Sequence, residues 1–503
     1  MRQVYLYFAI GLTLVYISFS PASIAAMGYT GEDMRTGTQM LSWLAHRPVT
    51  VEMPRNGPLP VLVDLPFLAT GMLLFANADR GEEIVLAFEP CILTALTVTL
   101  ILIWTHRLTR NLRYALFIGL MSAFCTMLWP YAYIGLETKQ SFFLLLTAFL
   151  ALEFSGPRLW WAVLLFCVSA SFTIGSKSTG AFLLPVTGYL VWHFLMRLRA
   201  EPARVFRLMP TVLCVLIPAF IFLVNSHERS LFWAKNGGSA AFIKAWMVTD
   251  ATWPFLNFAS FFGSANKGLW VFSPLCILGC YALPQAWRDH RKIAWFALLT
   301  LAGLAGGFSI LRNWADETWG PRYLHSAIAP LSIVFAIVWY RMMSSNTVRT
   351  IVGSLAVLGF ITAALGAGFP YGFLSVAANM TGQNTLEGYQ GDITLNHLRF
   401  NAKLLELWLH PERNGLFTSD RKWFYERPAG TPPPKTFDLH VLARPQPVLI
   451  VFWRQARVDI VARLWLFYCT CLVIGCLLLF GAVWRTNRLT KREYSHSALP
   501  ITI

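Results

Sequence analysis

Residues 28–48, "GYTGEDMRTGTQMLSWLAHRP", set Glu32 and Asp33 side by side where the first long apolar run ends. Adjacent carboxylates at such a boundary suit two roles. Acidic residues in a first helical turn favour its dipole, and a carboxylate in a confined site can act as a general base. Further along, charged residues again stand at the edges of apolar runs: Glu137 and Lys139 in "GLETKQ", Lys177 in "GSKSTG", Lys267 in "NKGLW", and Arg322 with Tyr323 in "GPRY". Each has a plainer reading: a solvated loop pair, a snorkelling lysine, or interfacial anchors near Trp270 and Trp319. Asp316 and Glu317 suit structural pairing with Arg312 or Arg322. His227, His325 and His397 are scattered among different regions and suggest no metal site.

The elements that position these residues belong in a bilayer. The chain has 503 residues, is 56% hydrophobic and only 13% charged, where a soluble protein carries about 25% charge. "VYLYFAIGLTLVYISFS", "CILTALTVTLILIW" and "LWLFYCTCLVIGCLLLFGAVW" contain no charged residue, and they approach the roughly 20 apolar residues that cross a hydrocarbon core. The first is too long for a removed signal peptide and lacks a convincing cleavage site. It reads as a retained span. Apolar runs lie near 4–24, 87–105, 114–130, 141–154, 159–174, 180–195, 208–224, 269–286, 293–311, 324–340, 350–369 and 463–484, which makes twelve. The fold expected is an all-α polytopic membrane protein.

The net charge of +16 does not point to nucleic acid, because the basic residues sit in short loops between runs. Arg107, Arg110 and Arg113 form one group; Arg197, Arg199, Arg204 and Arg207 another; then Arg288, Arg291 and Lys292; Arg341 and Arg349; Arg485, Arg488, Lys491 and Arg492. Loops of this kind face the cytoplasm. An even number of spans separates each group from the next, so all share one face. Residues 59–76, with Pro60, Asp64 and Pro66, read as an amphipathic helix at the outer interface. All but Glu89, Glu153, Glu201, Asp289 and Glu493 of the 25 acidic residues then fall on the opposite, external side. Chemistry that needs carboxylates belongs there.

Three units follow: a bundle at 1–369 with external loops 25–86 and 225–268, an external cap at 370–461, and a last span with a basic cytoplasmic tail at 462–503. The cap mixes helical spacing in "TLNHLRFNAKLLELWLHPE" with the extended character of "FDLHVLARPQPVLIVFWRQ", so a small α/β segment is expected. The nine cysteines lie almost wholly in apolar runs without metal-ligand spacing and read as packing residues. Tyr29, Tyr131, Tyr133, Trp314, Trp319 and Tyr323 ring the external boundary and read chiefly as an aromatic belt.

Several stretches in order resemble one family. "GEDMRTGTQMLSW" is similar to the acidic pair and helix of the GT-C class of integral membrane glycosyltransferases that use polyprenyl-phosphate sugars. Members often carry Asp-Glu here; this chain has Glu-Asp. "NGPLPVLVDLPFLATG" resembles the Pro-rich interfacial helix of the class, and "WPYAYIGLETKQSFFLLL" its next external loop. "SANKGLWVFSPLCILGCYALP" and "NWADETWGPRYLHSAIAPLSI" resemble segments of bacterial members related to the protein O-mannosyltransferases and the lipid A aminoarabinose transferase. The resemblance covers roughly residues 1–340.

That resemblance implies transfer of a sugar from a lipid phosphate to a lipid, glycan or protein acceptor on the outer face of a cell membrane, here a bacterial inner membrane. Glu32 and Asp33 take the places of the family's acids as base candidates. Lys267 and Arg322 are the leading phosphate candidates, with Lys177 beside them, and an arginine can fork two bonds onto phosphate oxygens. Glu137 could bind acceptor, sugar or a divalent cation; no other cofactor is implied. A transporter or lipid flippase is the main competitor, and it would need paired polar residues in mid-span. A noncatalytic scaffold of the same build is the third reading, prompted by the inverted acidic pair.

Overall fold

A computed structural model describes residues 1–20, 31–45, 57–75, 81–133, 137–154, 160–200, most of 209–227, 252–311, 319–368, 396–409 and 464–497. The described residues are helical and contain no strand. The helices are α1 (Arg2–Phe19), α2 (Gly31–Leu44), α3 (Pro58–Leu74), α4 (Phe88–Thr109), α5 (Leu112–Phe124), α6 (Thr138–Leu152), α7 (Trp160–Gly175) and α8 (Leu184–Arg199). They continue as α9 (Trp253–Gly263), α10 (Leu275–Asp289), α11 (Arg291–Ser309), α12 (His325–Trp339), α13 (Asn346–Gly368), α14 (His397–Leu409) and α15 (Trp465–Ser497). Seven helical stretches among them are long and apolar enough to cross a membrane, while α3, α5, α6 and α7 are apolar but shorter.

Helix α12 is the hub. Every residue from His325 to Ile337 is buried, and it packs against α4, α6, α10 and α11. Helix α15 closes the bundle by running along α1. At their crossing, a Cβ added to Gly11 or Gly475 would meet the other's carbonyl oxygen at 2.9 or 2.8 Å. Small residues let apolar helices approach this closely where lipid supplies no hydrophobic drive between them.

Two apolar runs that read as single spans are broken in the structure. The run 114–130 ends its helix at Phe124, and a separate turn forms at Leu128–Tyr131. Hydroxyls take over the freed backbone donors: Ser273 Oγ accepts from Met127 N at 3.0 Å, and Thr126 Oγ1 from Leu128 N at 3.2 Å. The run 269–286 divides into Leu269–Phe272 and α10, with Pro274 at the break.

The basic corners collect at one end of the bundle. Arg107 and Arg197 both reach the last turn of α6, donating to Glu153 O at 3.3 Å and Phe154 O at 2.8 Å. Arg113 donates to Asn487 O at 3.4 Å, and Arg485 donates to Gln3 Oε1. The N-terminus is therefore at this end, and α1 delivers Phe19 to the other, where it meets Trp129 edge-on. Helix α4 starts from that same far end. Ser20 and Phe88 thus lie at the same end of the bundle.

Of the expected external cap, only Asn396 and α14 are described, and α14 agrees with the helical spacing read there. The extended stretch lies outside the described residues.

Candidate active site

Three sequence-distant candidates meet at the end opposite the basic corners. Glu137 is the residue preceding α6 and is buried. Its Oε1 accepts from Lys177 Nζ, and Arg322 Nε stands 3.9 Å from the same oxygen. The two cationic side chains keep 15% and 18% of their exposure, so the pair is sheltered yet reachable. Tyr323 lies against both, its ring centroid 4.8 Å from Lys177 Nζ and 4.6 Å from the Arg322 guanidinium. Its hydroxyl accepts from Arg322 Nη2 at 2.7 Å, and its ring stacks on Phe308 at 4.0 Å. A carboxylate and an aromatic face are the groups that let two like charges sit together.

Each cation rides on a turn that its sequence enforces. In "SKSTG" the chain folds back so tightly that a Cβ at Gly180 would lie 2.1 Å from Ile174 O. In "WGPRY" Gly320 adopts φ +56° with Phe272 packed on it, a conformation that side chains other than glycine's rarely take. Pro321 follows, and Arg322–Leu324 form a short 3-10 turn into α12.

Lys139 does not join this cluster. Its Nζ pairs with Asp64 Oδ2 at 2.7 Å, and Asp64 is 1% exposed. Neither Glu137 nor Lys139 is the solvated loop pair that "GLETKQ" also permitted. Asp64 is the residue that the sequence reading passed over, as part of an interfacial helix. The available signal was one acid in the otherwise uncharged run of α3, since an unpaired carboxylate there would be strongly disfavoured. Asp64→Ala leaves the Lys139 ammonium buried without this carboxylate, and the expected loss of stability is about 3–5 kcal/mol. Thermal unfolding in detergent checks this, and Asp64→Leu combined with Lys139→Met is expected to recover most of it.

Lys267 is 1% exposed, in the turn between α9 and Leu269–Phe272. That turn is tied to the tail: Asn396 Nδ2 donates to Ala265 O at 2.7 Å and Asn266 Oδ1 at 3.0 Å. Helix α14 then lies over α13, Asn401 Nδ2 donating to Leu365 O at 2.8 Å. No contact places Lys267 directly on Glu137.

Three of the expected belt aromatics are core groups. Tyr131 and Tyr133 are 0% and 2% exposed, and Trp319 is 0%. Tyr131 donates to Trp319 O at 2.7 Å and Tyr133 to Gly366 O at 2.6 Å. Burial pushes the Tyr133 phenol well above its ordinary range, which suits a hydroxyl retained as a donor. Their role is to hold the 127–133 turn against α13 and the "WGPR" turn. His325 is buried next to Arg322 and Tyr323, its ring 4.8 Å from that of Tyr131, and His397 lies 5.5 Å from Trp319. Glu89 is likewise fully buried, in the first turn of α4.

Glu32 and Asp33 fall within α2, whose Gly37 packs against Leu68 of α3. Their side chains lie outside the described residues, as do Tyr29, Arg312, Trp314, Asp316 and Glu317.

Residues 71–226 match the family model described as dolichyl-phosphate-mannose-protein mannosyltransferase, PMT. That segment, about a third of the chain, is thus similar to a family of mannosyltransferases. No curated protein matches the chain. The match supports the resemblance to GT-C class, polyprenyl-phosphate-sugar glycosyltransferases related to the protein O-mannosyltransferases, and the apolar helices support a membrane protein. The PMT segment contains Glu137, Lys139 and Lys177, two of which build the buried cluster. Glu32, Asp33, Asp64, Lys267, Arg322 and Tyr323 lie outside the matched segment and are brought to it, or not, by the fold.

Proposed function

We propose that this chain is a twelve-span glycosyltransferase that moves a sugar from a polyprenyl-phosphate donor to a lipid, glycan or protein acceptor on the non-cytoplasmic face. The observation that carries this reading is the match of residues 71–226 to the PMT model. The convergence of Lys177 and Arg322 on Glu137 supports seating the donor's phosphate there.

Breaking the sugar–phosphate bond at the anomeric carbon sends its electron pair to the phosphate oxygen while the acceptor oxygen attacks. Charge therefore grows on the phosphate, where fixed cations in a water-poor site stabilise it most. Lys177 and Arg322 supply those cations. Glu137 holds them together in the absence of donor, and a phosphate entering between them replaces carboxylate oxygen with phosphate oxygen. The acceptor proton goes to Glu32 or Asp33. Asp64 and Lys139 brace the start of α6 and thereby the position of Glu137.

In this reading the basic corners face the cytoplasm, and the Glu137 end faces the periplasm or exterior. Purified protein incubated with a panel of labelled polyprenyl-phosphate sugars is expected to consume at least one, releasing polyprenyl phosphate. Intact donors across the panel, with acceptor-containing membranes present, would reject the assignment.

A further inference from the structure

The opposite end of the bundle carries a second candidate site, and nothing in the transferase reading uses it. A groove of about 600 Å³ opens where the last turns of α10 and α12 diverge. Along α12, 15 residues separate this end from the Tyr323 cluster, or about 22 Å of helix. Pro284 lies inside α10 and in the lining of the groove, where it cannot donate to the carbonyl one turn back.

The lining has two characters. Cys280, Ala282, Pro284, Ile337 and Val338 make an apolar wall, while Arg288 and Arg341 stand at the rim with His290. Both arginines are exposed. Among the described residues neither guanidinium has a hydrogen bond or ion pair. The acid in the lining, Asp289, accepts from Gln285 Nε2 at 2.8 Å. Several other arginines at this end are engaged: Arg107 and Arg197 cap α6, and Arg349 donates to Met343 O and Ser344 O at 2.7 and 2.9 Å. Two uncommitted guanidiniums above an apolar wall, at a membrane-boundary end of the bundle, form a headgroup-over-chain pattern. The volume lies within the roughly 300–1,000 Å³ range of small-ligand pockets.

We propose that this groove seats an anionic phospholipid of the surrounding leaflet, its phosphate between Arg288 and Arg341 and an acyl chain along Ile337 and Val338. Arginine suits the task because its planar fork meets phosphate oxygens in pairs. Basic recesses between spans on a membrane face are sites where anionic headgroups collect. The site stands independently of the donor reading, being formed from the other end of α12.

Binding is measured on the purified full chain with short-chain phosphatidylglycerol, with phosphatidylcholine of the same chain length, and with inorganic phosphate, using the shift in unfolding temperature. Phosphatidylglycerol is expected to raise that temperature more than either comparison ligand. Arg288→Gln with Arg341→Gln is expected to weaken the effect about 30-fold in lipid concentration, and each single change about fivefold. The same loss of charge at Arg2→Gln with Arg199→Gln is expected to change it little. If the double variant does not fold, the singles carry the test. An equal shift with phosphatidylcholine or with phosphate alone overturns the proposal, as does an undiminished shift in the Arg288 and Arg341 variants.

Discussion

Replacing Glu32 by Gln or Asp33 by Asn should nearly abolish turnover in one case and leave donor binding intact in both. A positioned general base is worth about 10²–10⁴-fold in rate, and its contribution falls on the bond-making step rather than on the lipid phosphate. Both residues are helical positions of α2, and neighbouring helical positions are about 100° apart, which is why the loss is expected for one of the two only. Single-turnover measurements with bound labelled donor separate chemistry from binding. Transfer that survives the loss of both acids would move the base elsewhere and revive the noncatalytic-scaffold reading for this pair.

Arg322→Ala should instead act mainly through donor affinity. Hydrogen bonds to a charged group contribute about 1.5–3 kcal/mol each, so losing one such contact raises KM or the donor Kd roughly 10- to 150-fold. Lys177→Ala should act in the same direction, because both cations converge on Glu137 Oε1. Arg322→Lys should restore only part of the affinity, since an ammonium keeps the charge and loses the planar fork. Glu137→Gln tests positioning: without its charge the two cations repel, and the donor meets a site that is no longer held together. A KM increase accompanied by a fall in kcat is the expected pattern for Arg322 and Lys177, because they meet the bound phosphate and the charge that grows on it in the transition state. Unchanged KM and kcat would remove the cations from the donor site.

Much of the architecture could be read from charge alone. Uncharged runs mark helices because a bilayer leaves no partner for a charge, and short Arg-rich corners mark the end they share. Run length was less informative. The stretch 114–130 and the stretch 269–286 are continuous in hydropathy, yet Ser273, Pro274 and Thr126 break the helices by offering or withdrawing backbone hydrogen bonds. Such local competition does not register in an average over side-chain polarity.

The site divides in the same way. Glu137, Lys177, Arg322 and Tyr323 were each visible as charged or amphipathic residues at the edge of a run. Their meeting was not, because Glu137 and Lys177 are 40 residues apart in sequence and only the fold joins them. Lys139 was visible but its partner was not: Asp64 lies 75 residues away in a helix whose prolines and apolar faces suggested an interface. The burial of Tyr131, Tyr133 and Trp319 was hidden for a related reason. An aromatic residue at a boundary has the same sequence signature whether it faces headgroups or fills the gap between helices.

The account turns on Glu32 or Asp33 and the Lys177–Arg322 pair opening to one compartment. In a cysteine-free background, Asp33→Cys and Arg322→Cys are introduced singly, and intact cells or sealed vesicles are treated with a membrane-impermeant maleimide. Modification of both positions from the same, non-cytoplasmic side is the predicted result. Modification of the two from opposite sides of the membrane would contradict it.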